Sequence, residues 1–371
     1  MTTTTFYNPI LEDDDYDETA PVIREPKFGE KGFGKGKPHP HKGTPRAKVN
    51  TTDAQILAFL NEIQVADTAT ISMIYKTLPS RVSVGGRIPT VGGTNDKMKR
   101  LLKMGLVQTC VSRDDRSTVL WGVTEAGIAA ARNFGYLLED SQPNHYVLKE
   151  MKRVRQNHFR GIGMVAAHFI AGTYKAELGL GPISVTQIVG EPRMRREHEM
   201  VWRRLVAADK EGASFGRYRM KTMSDAYAQY KAGDLAASDV LEKYPELRTL
   251  GKPITGVASP TYKDAHPVDL AIDLDHDRTK MKSKSILVEV ELSNKQWADL
   301  KLIIATIADE VKLGMIYERA VYFTHSPYIK KRIEKVDSDG KFGLIESGKL
   351  VILPIVDRFH TPFEIKDNIA D

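Results

Sequence analysis

His266-Pro267-Val268-Asp269-Leu270-Ala271-Ile272-Asp273, then a polar turn, then Ile286-Leu287-Val288-Glu289-Val290-Glu291-Leu292-Ser293-Asn294-Lys295, is the stretch on which the reading of this chain turns. Both arms alternate with period two. Val268, Leu270, Ile272 and Leu274 fall on one face, and Ile286, Val288, Val290 and Leu292 on a matching one, which is the mark of an antiparallel hairpin. The carboxylates then share the opposite face. A connection folded symmetrically about Lys280 sets Asp269 across from Glu291 and diagonal to Glu289, within side-chain reach. Carboxylates gathered in this way repel one another unless a cation joins them, so the hairpin reads as a metal-binding one. Acids alternating with Val and Leu are also what any half-exposed strand displays. The conjunction of Asp269 in matching phase, a nearby lysine and a basic module upstream favours chemistry over a merely solvated face. Asp273 and Asp275 read as the polar outer side.

Downstream of the hairpin the pattern is α/β. Gln296 to Leu313 carries Leu300, Ile303, Ile304, Ile307 and Val311 on one face and stops at Gly314, as an amphipathic helix does. A strand, Ala320 to Thr324, precedes a helix that begins near Pro327 and contains Lys330, Lys331 and Arg332, and a final strand runs from Leu350 to Val356. Helix and strand alternating about one sheet is a layered α/β arrangement. Upstream, residues 180–260 are rich in arginine, with a helix expected from Met223 to Tyr244. Arg196-Glu197-His198-Glu199-Met200 lacks the His-Glu-x-x-His spacing of a zinc protease. A long helix is expected from Lys149 to Leu178, basic in its first half and apolar in its second. His158 and His168 on it read as surface or packed residues, and Glu177 as a further candidate carboxylate.

The chain from Thr52 to Asn133 predicts three helices, a β-hairpin and a closing helix. Thr52-Asp53 reads as the first N-cap, the second helix covers Thr68 to Leu78 and stops at Pro79, and the third opens at Thr94 or Asn95 and ends at Gly105. The Gly-rich link from Ser83 to Gly93 lacks the Gly-Lys-Ser/Thr ending of a phosphate loop. Strands Leu106 to Arg113 and Thr118 to Thr124 flank the turn Asp114-Asp115-Arg116-Ser117. This order is that of a winged helix-turn-helix. On it, Lys97, Lys99, Arg100 and Lys103 approach the groove and phosphates of double-stranded DNA, with Arg113 and Arg116 on the wing. The same module also serves elsewhere as a protein-docking unit, and a cationic helix face is often only solvated.

Composition bounds the rest. The chain has 371 residues, 41% hydrophobic and 27% charged, enough for two globular domains with apolar cores. Its net charge of +6 and pI near 9.0 suit a polyanionic partner. The single cysteine, Cys110, excludes an intramolecular disulfide and a cysteine-based zinc site. The absence of a long apolar run and of a signal-like start predicts a soluble, unexported protein without a membrane partner. Residues before about 50 combine an acidic patch, Glu12 to Glu18, with a Gly/Lys/Pro/His stretch, and such segments bury too little to fold. The basic half suits loose phosphate contacts and the acidic half suits shielding them, while a solvated tail without a role fits equally. His39 and His41 alone are too few to hold a metal.

The order of helix, acidic strands, helix and strand resembles the PD-(D/E)XK nuclease superfamily. More narrowly the chain resembles the replication-relaxation family of mobile-element proteins, over nearly everything after residue 50. The family's Glu-x-Glu-x-Ser-x-Lys signature stands here as Glu289-Val290-Glu291-Leu292-Ser293-Asn294-Lys295, and its upstream aspartate as Asp269, with the usual Pro-Asp pair opened to Pro267-Val268-Asp269. The resemblance implies an α+β or α/β chain: a tail over 1–51, a winged helix over 52–140, a restriction-endonuclease-type domain over 145–360 and a tail over 361–371. It implies Mg²⁺ on Asp269, Glu289 and Glu291. It further implies Lys295 as the displaced superfamily lysine, because Glu291 occupies that lysine's usual place and could instead act as general base. The expected function is nicking or relaxing DNA for replication or transfer in the cytoplasm of a phage- or plasmid-bearing bacterium, with replication or transfer proteins as partners and a homodimer as one assembly. The alternative is a non-enzymatic regulator whose nuclease-like fold has decayed into a docking or dimerisation surface.

Overall fold

Asn50 opens the first helix. Its side chain accepts a hydrogen bond from Asp53 N at 2.9 Å, and Asp53 Oδ2 accepts one from Asn50 N at 3.1 Å, a reciprocal capping box. Helix α1 therefore spans Thr51–Ile63, and Asp53, expected as the cap itself, is its third residue. The computed structural model describes residues 48–78, 90–139, 141, 148–194, 196–197, 200, 215–234, 236, 239–240, 242, 268–274, 284–314, 316–357 and 361. The tails, residues 83–89 of the Gly-rich link, His198, Glu199, Asp275 and the turn about Lys280 lie outside them.

After α1 come β1 (Ala66–Asp67) and α2 (Thr68–Thr77), capped by Asp67. Helix α3 spans Val91–Lys103. It starts before the expected Thr94 because the Thr90 hydroxyl accepts from Gly93 N at 3.1 Å, satisfying a first-turn donor that would otherwise have no partner within the helix. Strands β2 (Val107–Val111) and β3 (Val119–Val123) form the expected hairpin, β1 adds to β3, and α4 covers Glu125–Asn133. The small sheet runs β1-β3-β2, all antiparallel. Three helices before a hairpin is the element order expected of a winged helix.

The long helix expected over 149–178 divides into α5 (Arg153–Ala171) and α6 (Lys175–Leu178). Gly172 is the reason. Its φ of +71° ends α5, and a Cβ there would stand 2.6 Å from Pro182 N, so only glycine suits the position. Beyond it lie β4 (Ile188–Gly190), α7 (Phe215–Ala232), β5 (Leu270–Ile272), β6 (Ile286–Glu291), α8 (Trp297–Leu313), β7 (Arg319–Thr324), α9 (Pro327–Asp339) and β8 (Leu350–Pro354). Helix α7 sits eight residues earlier than the expected Met223 start and ends at Gly233, whose φ is +79°. The large sheet has the order β4-β5-β6-β7-β8. Its first two pairings are antiparallel, and β6-β7 and β7-β8 are parallel, with α8 and α9 as the crossovers that parallel neighbours require.

Both faces of this sheet are covered. Leu270, Ile272, Ile286, Val288 and Val290 join the N-terminal helices and α5 in one apolar cluster. Ala271, Leu287, Ala320 and Tyr322 face α8 and α9 in a second. Val268, expected in phase with Leu270, belongs to the second cluster, because regular pairing of β5 begins only at Leu270. From Val49 onward the chain is one compact unit, and the first cluster runs without a break across the connection near residues 140–145. Helix α5 is what joins the halves. A Cβ on Gly161 would lie 3.2 Å from Val290 Cγ1, and one on Gly163 2.9 Å from Ile63 Cδ1, so small residues let α5 press against β6 on one side and the end of α1 on the other. Arg160 adds an ion pair to Asp67 at 3.2 Å, and Arg153 one to Asp114 on the wing.

Candidate active site and nucleic-acid interface

The pairing of β5 with β6 sets Leu270 opposite Val288 and Ile272 opposite Ile286. Continued by one residue, this register places Asp269 across from Glu289 and diagonal to Glu291, the reverse of the expected arrangement, because the hairpin is centred one residue before Lys280. Same-face neighbours on a strand repeat every second residue. Glu289 and Glu291 therefore lie on the face of Leu287, which is covered by α8 and α9. Both are buried, as is Asp273; none is the solvated outer residue that strand alternation alone suggests. Asp273 accepts from the Ser285 hydroxyl at 3.4 Å.

Asp269 is held at the mouth of the hairpin. Its Oδ2 accepts from Val290 N at 2.7 Å and its Oδ1 from His158 Nε2 at 3.0 Å. Burial alone would raise its pKa, but the histidine, those two hydrogen bonds and Lys295 outweigh it and hold the carboxyl at about 2. Burial would likewise lower the pKa of His158, and Asp269, Glu191 and Glu291 overcome that and raise it. His158 is thus part of the site, brought in by α5. A lone histidine on an amphipathic helix gave no periodic signal of this. Its basic flanks, Arg155 and Arg160, were the only hint.

Glu291 is tied down at the other end of the group. Lys295 Nζ stands 3.0 Å from its Oε2, the Tyr322 hydroxyl donates to the same oxygen at 3.3 Å, and Ser293 donates through N and Oγ to Oε1 at 3.1 and 2.9 Å. Lys295 thus reaches back to the acids as expected. Burial opposes its charge, but Glu291, Glu289 and Asp269 together raise its pKa and keep it an ammonium. Burial and the same acids push Tyr322 well above the ordinary phenol value. Arg332 on α9 fixes the geometry from behind, donating to Lys295 O at 2.6 Å and to the Asn294 side chain.

Asp269, Glu289, Glu291 and Lys295 accordingly share one electrostatic neighbourhood. Oxygen donors of this kind suit a hard cation such as Mg²⁺, so the residues fit it in type. Among the described residues no group of at least three His, Cys, Asp or Glu side chains stands ready to hold a metal. Glu177 is exposed on α6, beside Tyr174.

The six cations expected to contact DNA fall into three arrangements. Lys99, Lys103 and Arg116 are exposed on α3 and the wing. Arg100 instead pairs with Asp53 of α1 at 2.5 Å, and Lys97 lies over the Tyr75 ring at 4.4 Å, so these two brace α3 against its neighbours. Arg113 is exposed but donates to Lys149 O at 3.1 Å, and its own N–H reaches Gln156 Oε1 at 3.0 Å. The wing is therefore fastened to the start of α5. No described helix is long and apolar enough to cross a membrane.

No protein-family model matches the chain, and no curated protein matches it. Among solved structures, two mutant forms of Lactococcus lactis ZitR align with it. One is 22% identical, over 25% of this chain and 56% of that one; the other is 21% identical, over 26% and 57%; the TM-score is 0.18 for each. The chain thus spans little more than half the length of those structures, and at such a TM-score the likeness carries no argument about fold or activity.

Proposed function

We propose that this chain is a DNA-binding protein whose winged-helix module presents duplex DNA to a phosphodiester-cleaving site at the end of β6. The observation that carries the reading is the acidic group of buried Glu289 and Glu291 and half-buried Asp269, with Lys295 folded back onto it. Burying carboxylates is costly without compensation, and a structural strand has no need of several together. Asp269 and Glu289, opposite one another in the continued register, would hold Mg²⁺, which offsets charge on the phosphoryl oxygens and acidifies a water. The chain's own groups supply the rest. His158 holds Asp269 ionised, Lys295 brings positive charge to the same mouth, and Glu291, poised by Tyr322 and Ser293, is placed to take a proton. Exposed Lys99, Lys103 and Arg116 supply phosphate contacts. A role in relaxing or nicking DNA for replication or transfer in a mobile element is the biological form of this activity that the Glu-x-Glu-x-Ser-x-Lys signature suggests.

The test is conversion of supercoiled plasmid to its open form in Mg²⁺. Wild type should nick, while Asp269→Asn and an EDTA control should not; equal conversion by both proteins would refute the assignment. One observation favours a second reading. Lys295 already neutralises Glu291 internally, so the acidic group can persist without a cation, as in a DNA-binding accessory protein that no longer cuts. That reading expects salt-sensitive DNA binding that survives loss of all the carboxylates, and no conversion by either protein.

A further inference from the structure

Between α3 and the β2-β3 hairpin lies a cavity of about 670 Å³, within the range of roughly 300–1,000 Å³ typical of small-molecule sites. Its floor is apolar: Leu102, Val111 and Val119 line it, backed by the buried Trp121, and Leu102 and Val111 are among the large apolar side chains left exposed. Its charged members are Lys99, Arg113 and Lys149, and none of the lining residues is acidic. Arg113 is fastened to the Lys149 carbonyl, which fixes its guanidinium beside the Lys149 backbone. Burial pushes the Cys110 thiol up, and Arg113 and Lys149 pull against it, so both charges act on the cavity wall.

Three neutral polar groups of the lining are already engaged. Trp121 Nε1 donates to Thr68 Oγ1 at 2.8 Å, Thr109 Oγ1 to Leu120 O at 2.9 Å, and Gln156 Oε1 accepts from Arg113 N. What the cavity offers a ligand is therefore an aliphatic floor, the Asn95 amide and positive charge with no acid in the lining. We propose that it binds a small anionic amphiphile, an aromatic or branched apolar body carrying a carboxylate, with the body on Leu102, Val111 and Val119 and the carboxylate between Arg113 and Lys149. A DNA backbone supplies the anion but nothing to fill the apolar floor, and a neutral hydrophobe leaves the cations unanswered. The proposal stands apart from the metal site, and of the residues read as phosphate contacts only Lys99 lines the cavity, where it is not one of the two cations assigned to the carboxylate.

Calorimetric titration of the full chain with 1-naphthoate, and with uncharged 1-naphthamide as its counterpart, tests it. Saturable binding of one naphthoate per chain is expected, about tenfold tighter or more than naphthamide. Val111→Glu and Lys149→Glu, both at exposed positions, should each weaken naphthoate about tenfold or more, while Lys330→Glu, an equal change of charge on α9, should not. Absence of saturable binding to wild type would overturn the proposal. So would naphthamide binding as tightly, wild-type affinity in both cavity variants, or an equal loss in Lys330→Glu.

Discussion

Glu62, at the end of α1, shows what a single buried carboxyl does in this fold. Its Oε2 accepts from Gly190 N at 2.8 Å, and burial raises its pKa against the pull of Arg193 and Arg196, with Glu197 adding to the rise. The sign of the consequence follows. Below the ordinary value of 4.5 both folded and unfolded chains are protonated; as the pH climbs from there through the raised folded-state value, the unfolded chain ionises more readily and stability is lost. Glu62→Gln keeps the acceptor and removes the charge. Urea midpoints of the two proteins should therefore coincide near pH 4.5 and diverge in favour of the variant by pH 8; parallel profiles would contradict this account of Glu62. At the same scale, Arg332→Ala frees the Asn294–Lys295 segment that positions the ammonium. It should reduce plasmid nicking severalfold while leaving DNA affinity unchanged in a gel shift.

At the scale of elements, close approach is the theme. A Cβ on Gly190 would fall 1.7 Å from Glu62 O, so β4 and α1 cross with no room for a side chain. Gly190→Ala should destabilise the protein by about 2–4 kcal/mol, read as a lowered denaturant midpoint, because the contact is with backbone. On α3, Lys99→Glu with Lys103→Glu should weaken DNA binding and reduce its salt dependence without moving the melting temperature. Arg100→Ala should lower the melting temperature instead, since Arg100 braces Asp53. Elements with long periodic patterns were legible in the sequence: α4 is where Glu125 to Asn133 predicted it, and α8, β7 and α9 match within a residue or two. What escaped were elements too short to have a period, β1 with two residues and β4 with three, and ends set by caps rather than pattern, such as Asn50 and Gly172. In the site, Asp269, Glu289, Glu291 and Lys295 were legible because two strands alternate in phase. The register differed by two residues because such a shift leaves the alternation of both strands unchanged, so the pattern alone does not choose between the pairings, and His158 stayed hidden because only tertiary packing brings α5 to Asp269.

Over the whole molecule, α5 is the structural link between the N-terminal helices with their β-hairpin and the acidic mouth of the sheet. The wing is fastened to its start through Arg153 and Arg113, His158 meets Asp269 from it, and its glycines let α1 and β6 press on either side. On the proposed function, a duplex held by α3 and the wing would thereby be referred to a fixed point on the sheet, as positioning a phosphodiester for cleavage requires. The claim at the centre of this account is that Asp269 and Glu289 hold a divalent cation. Titration of the full chain with Mn²⁺ as a stand-in for Mg²⁺, followed by the loss of the free-ion electron paramagnetic resonance signal, addresses it without DNA or turnover. Wild type should remove Mn²⁺ from solution saturably, and Asp269→Asn combined with Glu289→Gln should not; the same uptake by both, or none by wild type, would contradict it.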